Sequence, residues 1–372
     1  LHKEYRRQRQ MCIRDRSGWL LNVHGYREVT RKSKEQYFSV IESRLLTDLG
    51  REKMRQVKWG ILGCGDIVRK RVARAIQEDP CSDLIAVCRR NQSKLKEFCS
   101  TFGVSRAYSR AQDLISDPDI DAVYVATPVF LHRSQTIEAA EAGKHVLVEK
   151  PMALTALECE QMETICNGAQ VKLGVAYYRR FYPVVARMKK LIEQGTIGTP
   201  LSASAVTSSP FPFAPGDDGY WRARPELGGG GALMDIGSHR IDLFLDLFGP
   251  CKRVESFCDT VSADYDAEDV ASVLMQFDKG AHGLLQCFFG TSNEWDSFTV
   301  LGSDGRLSVD PLNKGLLIIE KGSDRCSESL PPAENLHTPL IEDFSSAVLD
   351  DKCPVVTGEA GQAVNDVIDR AY

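Results

Sequence analysis

Val57-Lys58-Trp59-Gly60-Ile61-Leu62-Gly63-Cys64-Gly65-Asp66-Ile67-Val68 is a short apolar run broken by two glycines, and a helical pattern continues from it to Gln77. Strand, tight glycine turn and helix in that order open an alternating α/β domain. Strand-like runs recur at 84–88, 122–126, 145–148 and 171–176, with a short extended piece at 107–108. Helical spacing fills 92–102, 134–142 and 153–166 between them. Alternation of this length means right-handed crossovers and a doubly wound parallel sheet.

After about Tyr178 the rhythm changes. A helix at 183–194 leads into alternating stretches at 202–207, 253–261, 270–277, 283–289 and 297–301, with one strong helix at 232–247 behind the glycine run 228–231. Short turns such as Asp278-Lys279-Gly280 and Ser303-Asp304-Gly305 join these stretches, which predicts a second, α+β domain with a large, mostly antiparallel open sheet.

The glycine turn is the first place where chemistry enters. Gly63 and Gly65 let the backbone turn sharply and let a pyrophosphate approach the helix that Asp66 and Ile67 open, whose free N–H groups and dipole favour an anion. Val68 holds the third position of the motif and is bulkier than the usual glycine or alanine, so it would push helix from strand slightly. A tight turn that binds nothing is the alternative; the place of the motif between first strand and first helix favours binding. At the end of the second strand, Ala86-Val87-Cys88-Arg89-Arg90-Asn91 offers no acid for a ribose 2′-hydroxyl. Two guanidinium groups suit a 2′-phosphate, so NADP is the preferred cofactor and NAD the other candidate. Arg89 and Arg90 could instead simply be solvated at a strand end.

Composition bounds the partners. The chain has 372 residues, 43% hydrophobic and 26% charged, which suits a globular protein of about two domains. Residues 1–53 hold 13 Lys+Arg against 7 Asp+Glu, leaving 33 against 44 in the rest. So acidic a body argues against nucleic acid as a partner. No run of eighteen apolar residues and no signal-like apolar segment occurs, so neither a membrane span nor a secretory signal is expected. The 12 cysteines are scattered without a C-x-x-C pair and read as reduced thiols of a cytoplasmic protein, with no metal site.

Residues 1–53 look foreign to this pattern. Residues 6–16, RRQRQMCIRDR, back-translate to what looks like a transposase-based sequencing-library adapter. The stretch 17–53 has some helical spacing (Phe38, Ile41, Leu45, Leu46, Leu49) but runs directly into Met54, which looks like a natural start. Residues 1–53 are therefore read as a non-native or upstream extension.

Further residues carry a resemblance. Ala126-Thr127-Pro128 with His132, then Glu141-Ala142-Gly143-Lys144-His145-Val146-Leu147-Val148-Glu149-Lys150-Pro151, then Arg180-Phe181, Trp221-Arg222, and the run from Gly229 through Asp235 to His239 together resemble the Gfo/Idh/MocA oxidoreductases. The resemblance spans residues 56–372 and is most specific at Glu149-Lys150-Pro151 and at the Asp-x-x-x-His spacing. It implies a Rossmann domain over 54–176 and a substrate and oligomerisation domain over 177–372. The family normally continues past the helix in which this sequence ends, through a final strand, so a C-terminal truncation is expected.

Residue chemistry and resemblance agree at the site. Lys150 falls at the carboxyl end of a parallel strand, where such sheets bind ligands, and Pro151 fixes the turn that aims it. By resemblance Lys150 lies beside the nicotinamide and meets the reacting oxygen. Asp235 and His239 are four apart on a predicted helix, so they share a face and the carboxylate can orient the imidazole. The resemblance makes His239 a general acid or base and Asp235 its partner or a substrate ligand. It also implies that Trp221 and Arg222 contact substrate and that Thr127, Pro128, His132, Glu149 and Pro151 lie on the cofactor side. Asp242, one turn on, reads as structural. The expected reaction is hydride transfer between a nicotinamide and a carbinol or carbonyl carbon of a small sugar, polyol, cyclitol or dihydrodiol, with a homo-oligomer formed through the second sheet. Two other readings stay open: a non-catalytic NADP-binding regulator, against which Lys150, Asp235 and His239 together argue, and an NAD-assisted glycosidase, against which the missing acid at Arg89 argues.

Overall fold

The computed structural model describes residues 55–372, and the expectations for residues 1–53 lie outside them. Six parallel strands form the first sheet: β1 (Val57–Leu62), β2 (Ser82–Cys88), β3 (Arg106–Tyr108), β4 (Ala122–Val125), β5 (His145–Val148) and β6 (Leu173–Val175). Their order is β3-β2-β1-β4-β5-β6, so the order reverses between β1 and β4 and leaves a crevice at the carboxyl ends of those two strands. All four residues of β4 are buried, and in β1 only Lys58 is exposed. Helices on both faces require such near-continuous apolar strands.

The connecting helices are α1 (Ala73–Glu78), α2 (Gln92–Phe102), α3 (Ala111–Ile115), α4 (His132–Glu141) and α5 (Ala156–Gly168). Local chemistry sets their ends. The Asn91 side chain caps α2 by accepting from Lys94 N at 3.0 Å, and Gly103 closes it in the left-handed conformation at φ 67°. A π-helical turn, Val68–Val72, precedes α1. Val68 is wholly buried there, so the bulk that the motif's third position adds is absorbed in a widened first turn.

Beyond α6 (Pro183–Glu193) the second sheet begins. It comprises β7 (Pro200–Ser209), β8 (Cys251–Asp259), β9 (Val270–Phe277), β10 (His282–Phe289), β11 (Trp295–Gly302), β12 (Gly305–Val309), β13 (Leu316–Lys321) and β14 (Asp324–Ser329), in the order β14-β13-β12-β11-β7-β10-β9-β8. Only β7 and β10 pair in parallel. The sequence pattern foretold five of these strands and passed over β12, β13 and β14. Five of the six β14 residues are exposed, so no two-residue alternation marks that strand.

Between β7 and β8 lie a short helix α7 (Pro225–Gly228), a π-helical turn Leu233–Gly237 and α8 (Ser238–Phe248). Helix α8 covers one face of the second sheet, with the Phe244 ring 5.1 Å from Phe298 and Phe248 5.3 Å from Phe277. The opposite face is open and carries exposed Leu274, Leu284 and Leu301. No helix among the described residues is long and apolar enough to cross a membrane.

Two last helices, α9 (Thr338–Leu349) and α10 (Gly358–Ala371), return to the first sheet. Phe344 of α9 packs 5.5 Å from the Trp59 ring and over Gly174, where a Cβ would come within 2.8 Å of it. Ser345 Oγ shares a hydrogen bond of 2.7 Å with Ser82 Oγ, and Val175 N donates to Val356 O at 3.1 Å. Because Phe344 is 1% exposed and tightly enclosed, Phe344→Ala should destabilise the fold by about 3–5 kcal/mol in urea unfolding. A loss below about 1 kcal/mol would show that α9 does not anchor the parallel sheet.

Candidate active site

A groove of about 1310 Å³ runs along the crevice at the ends of β1 and β4. Its floor is the glycine turn. Gly63 has φ +92°, and a Cβ there would lie 2.5 Å from Ala126 O, so only glycine fits. At Gly65 nothing lies within 4 Å of an added Cβ, which leaves bare backbone facing the groove where a side chain would otherwise fill it. Bare backbone at a helix start is the cradle that a pyrophosphate needs, so the turn fits a dinucleotide. Asp66, Ile67, Thr127 and Pro128 also line the groove. The Asp66 carboxylate pairs with Lys70 at 2.5 Å and is largely exposed.

Arg89 and Arg90 line the same groove, as the sequence predicts. Arg89 donates from NH1 to the Cys64 carbonyl and from NH2 to Asp218 Oδ2 at 2.7 Å. Lys94 Nζ reaches the same carboxylate oxygen at 2.6 Å. Arg90 makes neither contact and stands exposed at the rim.

Three of the residues expected on the cofactor side stand behind the groove wall. His132 is 1% exposed, with its ring nitrogens 2.8 Å from Thr127 O and 3.0 Å from Pro151 O. It ties the loop after β4 to the loop after β5, and burial depresses its proton affinity. Glu149 is buried, accepts from Tyr124 OH at 2.8 Å and from Lys150 N at 3.2 Å, and is pushed up by burial against the pull of Lys150. Pro151 is buried too, after a cis peptide bond from Lys150.

Lys150 meets the second sheet's helix. Its Nζ donates to Asp235 Oδ1 at 2.7 Å and to Asp235 O at 2.8 Å, while Arg222 Nε lies 3.4 Å from Asp235 Oδ2. Burial alone would raise the Asp235 carboxyl, but Lys150 and Arg222 outweigh it and hold it below the usual range. The Arg222 guanidinium lies 4.3 Å over the Trp221 ring, so Trp221 supports Arg222 and both line the near end of the groove.

The Asp235 carboxylate does not orient His239, contrary to the spacing argument. Residues 233–237 are π-helical, and a wider turn takes positions four apart out of line. His239 instead packs edge-on to two rings, Tyr178 at 5.0 Å and Tyr177 at 5.9 Å, and its Nδ1 has no protein partner. Asp242 is structural: it accepts from Arg180 NH2 at 2.6 Å, and burial raises its carboxyl to about 6. Among the described residues no three His, Cys, Asp or Glu side chains are placed to hold a metal ion.

The structure adds residues that the sequence did not single out. Tyr178 follows β6 directly and stands between His239 and His337, whose ring lies 4.6 Å away. Burial would raise its phenol, yet Arg179, Arg71 and Lys150 hold it below the usual value. Its position at a parallel strand's carboxyl end was the available signal. His337 comes from far down the chain, just before α9, and nothing local marks it.

Comparison with known proteins agrees with this architecture. Residues 57–177 match the oxidoreductase family with an NAD-binding Rossmann fold, and residues 185–308 match the GFO/IDH/MocA C-terminal domain. A 1,5-anhydro-D-fructose reductase of Ensifer adhaerens is 29% identical over 82% of this chain and 92% of its own length. The solved aldose-aldose oxidoreductase of Caulobacter crescentus, complexed with glycerol, is 30% identical with a TM-score of 0.76, covering 85% of this chain and 96% of that one. The WlbA dehydrogenase of Bordetella pertussis, solved with NADH and UDP-GlcNAcA, is 28% identical with a TM-score of 0.75, covering 86% and 96%. The chain belongs to the Gfo/Idh/MocA family of NAD(P)-binding oxidoreductases.

Two buried imidazoles at this site make stability depend on pH. Burial, followed by Lys150, Arg179 and Arg240, holds His239 well below its ordinary value, and burial with Arg71 and Lys150 takes His337 down to about 3. Each is neutral in the folded chain but binds a proton near pH 6.5 when unfolded. Their contribution is therefore complete above pH 6.5 and is lost as pH falls towards the folded values, by about 1.4 kcal/mol per pH unit for each. Replacing His337→Gln should flatten the pH 4–6 limb of unfolding free energy by about one proton. An unchanged slope would mean that His337 already carries its proton in the folded state.

Proposed function

We propose that the chain is an NAD(P)-dependent dehydrogenase or reductase acting on a CH–OH carbon of a small sugar, polyol, cyclitol or dihydrodiol. The observation that carries this reading is Lys150 Nζ at the carboxyl end of β5, bonded to Asp235 at 2.7 Å and partly exposed, with His239 on the following helix. A bound nicotinamide supplies or takes up the hydride. The chain's own part is to hold substrate and move one proton.

In the reducing direction Lys150 Nζ donates a hydrogen bond to the carbonyl oxygen and polarises it. His239 is held neutral, so it lacks the extra proton that an alkoxide must receive. That proton comes from the Lys150 ammonium, with Asp235 keeping it in place and His239 aligning the substrate oxygen. In oxidation the same path runs backwards. Arg222, laid on the Trp221 ring, offers hydroxyl-binding donors at the mouth. The open face of the second sheet, where Trp295, Phe257, Leu274 and Leu284 are exposed, supports a homo-oligomer built through it. The cysteines from Cys64 to Cys353 are all free, which supports a cytoplasmic setting.

Arg89 and Arg90 support NADP over NAD. Lys150→Met and His239→Asn should leave NADP(H) dissociation constants nearly unchanged, because Gly63, Gly65 and the arginines hold the nucleotide elsewhere. Turnover on a substrate found by a polyol and ketose screen should fall about 10²- to 10⁴-fold in each. The double variant should lose less than the product of the two, because both groups act on the same substrate oxygen. Single variants that turn over at the wild-type rate would place the proton transfer on other residues.

A further inference from the structure

The carboxylate on Arg89 comes from the loop that follows β7. Asp218 lies between β7 and the turn Tyr220–Ala223, and Pro212, Phe213, Asp217 and Gly219 of the same segment line the groove beside it. This segment is a built part of the fold. The Phe211 ring packs 4.8 Å from Tyr265, 5.2 Å from Phe289 and 5.4 Å from Phe213. Asp217 Oδ2 accepts from Ala214 N at 2.8 Å, and a Cβ on Gly219 would run into the Phe213 ring. Asp218 is thereby held with one oxygen 2.7 Å from Arg89 NH2 and 2.6 Å from Lys94 Nζ.

We propose that Asp218 sets the balance between the two nicotinamide cofactors, acting as a carboxylate supplied from the loop after β7 to the 2′-end of the adenosine site. The inference rests on reading the groove as the dinucleotide site with Arg89 at that end. A 2′-phosphate would have to share Arg89 and Lys94 with a neighbouring carboxylate, which weakens its binding. A ribose 2′-hydroxyl would instead find the acceptor that β2 does not provide after Cys88, which favours the unphosphorylated nucleotide. The arginines pull towards NADP and Asp218 pulls back, so Asp218 narrows the preference for NADP that the arginines give. Asp218 is a specificity residue that acts on binding, not on the reacting atoms.

The test is a set of dissociation constants, measured by calorimetry on the full chain, for NADP⁺, NAD⁺ and the fragments 2′,5′-ADP and 5′-AMP. Asp218→Asn and Asp218→Ala should tighten NADP⁺ and 2′,5′-ADP about tenfold, the scale of a like-charge contact in a largely solvated site, and should not tighten NAD⁺ or 5′-AMP. Raising ionic strength should narrow the difference between wild type and variants. Arg89→Ala is the control for the reading beneath. If Arg89→Ala weakens the 2′-phosphorylated ligands selectively while both Asp218 variants leave every ratio unchanged, the role of Asp218 is refuted and the groove reading stands. If neither residue moves the ratios, the 2′-end lies elsewhere and both fail.

Discussion

The contact between Lys150 and Asp235 is the constraint on which the site depends. It joins the end of a strand in the parallel sheet to a helical turn that belongs with the second sheet, through one side-chain and one main-chain acceptor at 2.7 and 2.8 Å. Neither charge is cheap to enclose: a largely enclosed ion pair gains little net stability, yet removing Asp235 leaves Lys150 without its carboxylate, and removing Lys150 leaves Asp235 with Arg222 alone. That asymmetry makes the contact a registering device. It fixes where the π-helical turn sits against β5, and through that turn it fixes His239 on one side and Arg222 on the other. The same contact leaves an ammonium just past the carboxyl end of β5, the end at which parallel sheets take their ligands.

Around that pair the local charge opposes the charge of the body. The residues after 53 are acidic as a whole, but the groove gathers Arg69, Lys70, Arg71, Arg89, Arg90 and Lys94 along one wall. A basic cleft in an acidic protein concentrates its field where an anionic nucleotide would enter. Asp66, Glu97, Asp217 and Asp218 are the acids of that groove, and Asp218 is the one that sits on both Arg89 and Lys94. Deeper in, burial together with Lys150 and Arg179 holds His239 down, and Arg179, Arg71 and Lys150 lower the Tyr178 phenol against its burial.

Local periodicity made the parallel sheet legible, since strand, glycine turn and helix need only about twenty adjacent residues to declare themselves. Lys150 was legible for the same reason: its chemistry follows from its place at a strand end. Tertiary contacts were not. Asp235 and His239 stand out in the sequence by their spacing, but their mutual geometry depends on a π-helical turn that no pattern of apolar residues signals. The resemblance puts His132 and Glu149 on the cofactor side, whereas their partners are Thr127 O, Pro151 O and Tyr124 OH inside the wall. Asp218 sits 129 positions from Arg89, in a segment without periodicity, and only folding brings them together.

In the proposed enzyme the crevice between β1 and β4 delivers a nicotinamide to Lys150. The most direct measurement is a crystal structure of the chain with NADP⁺ bound. Density is expected for the pyrophosphate over Gly65 and for the nicotinamide ring beside Lys150 Nζ, with His239 on the substrate side of the ring. A nucleotide bound with its pyrophosphate away from Gly65, or with its nicotinamide turned from Lys150 into solvent, would contradict it.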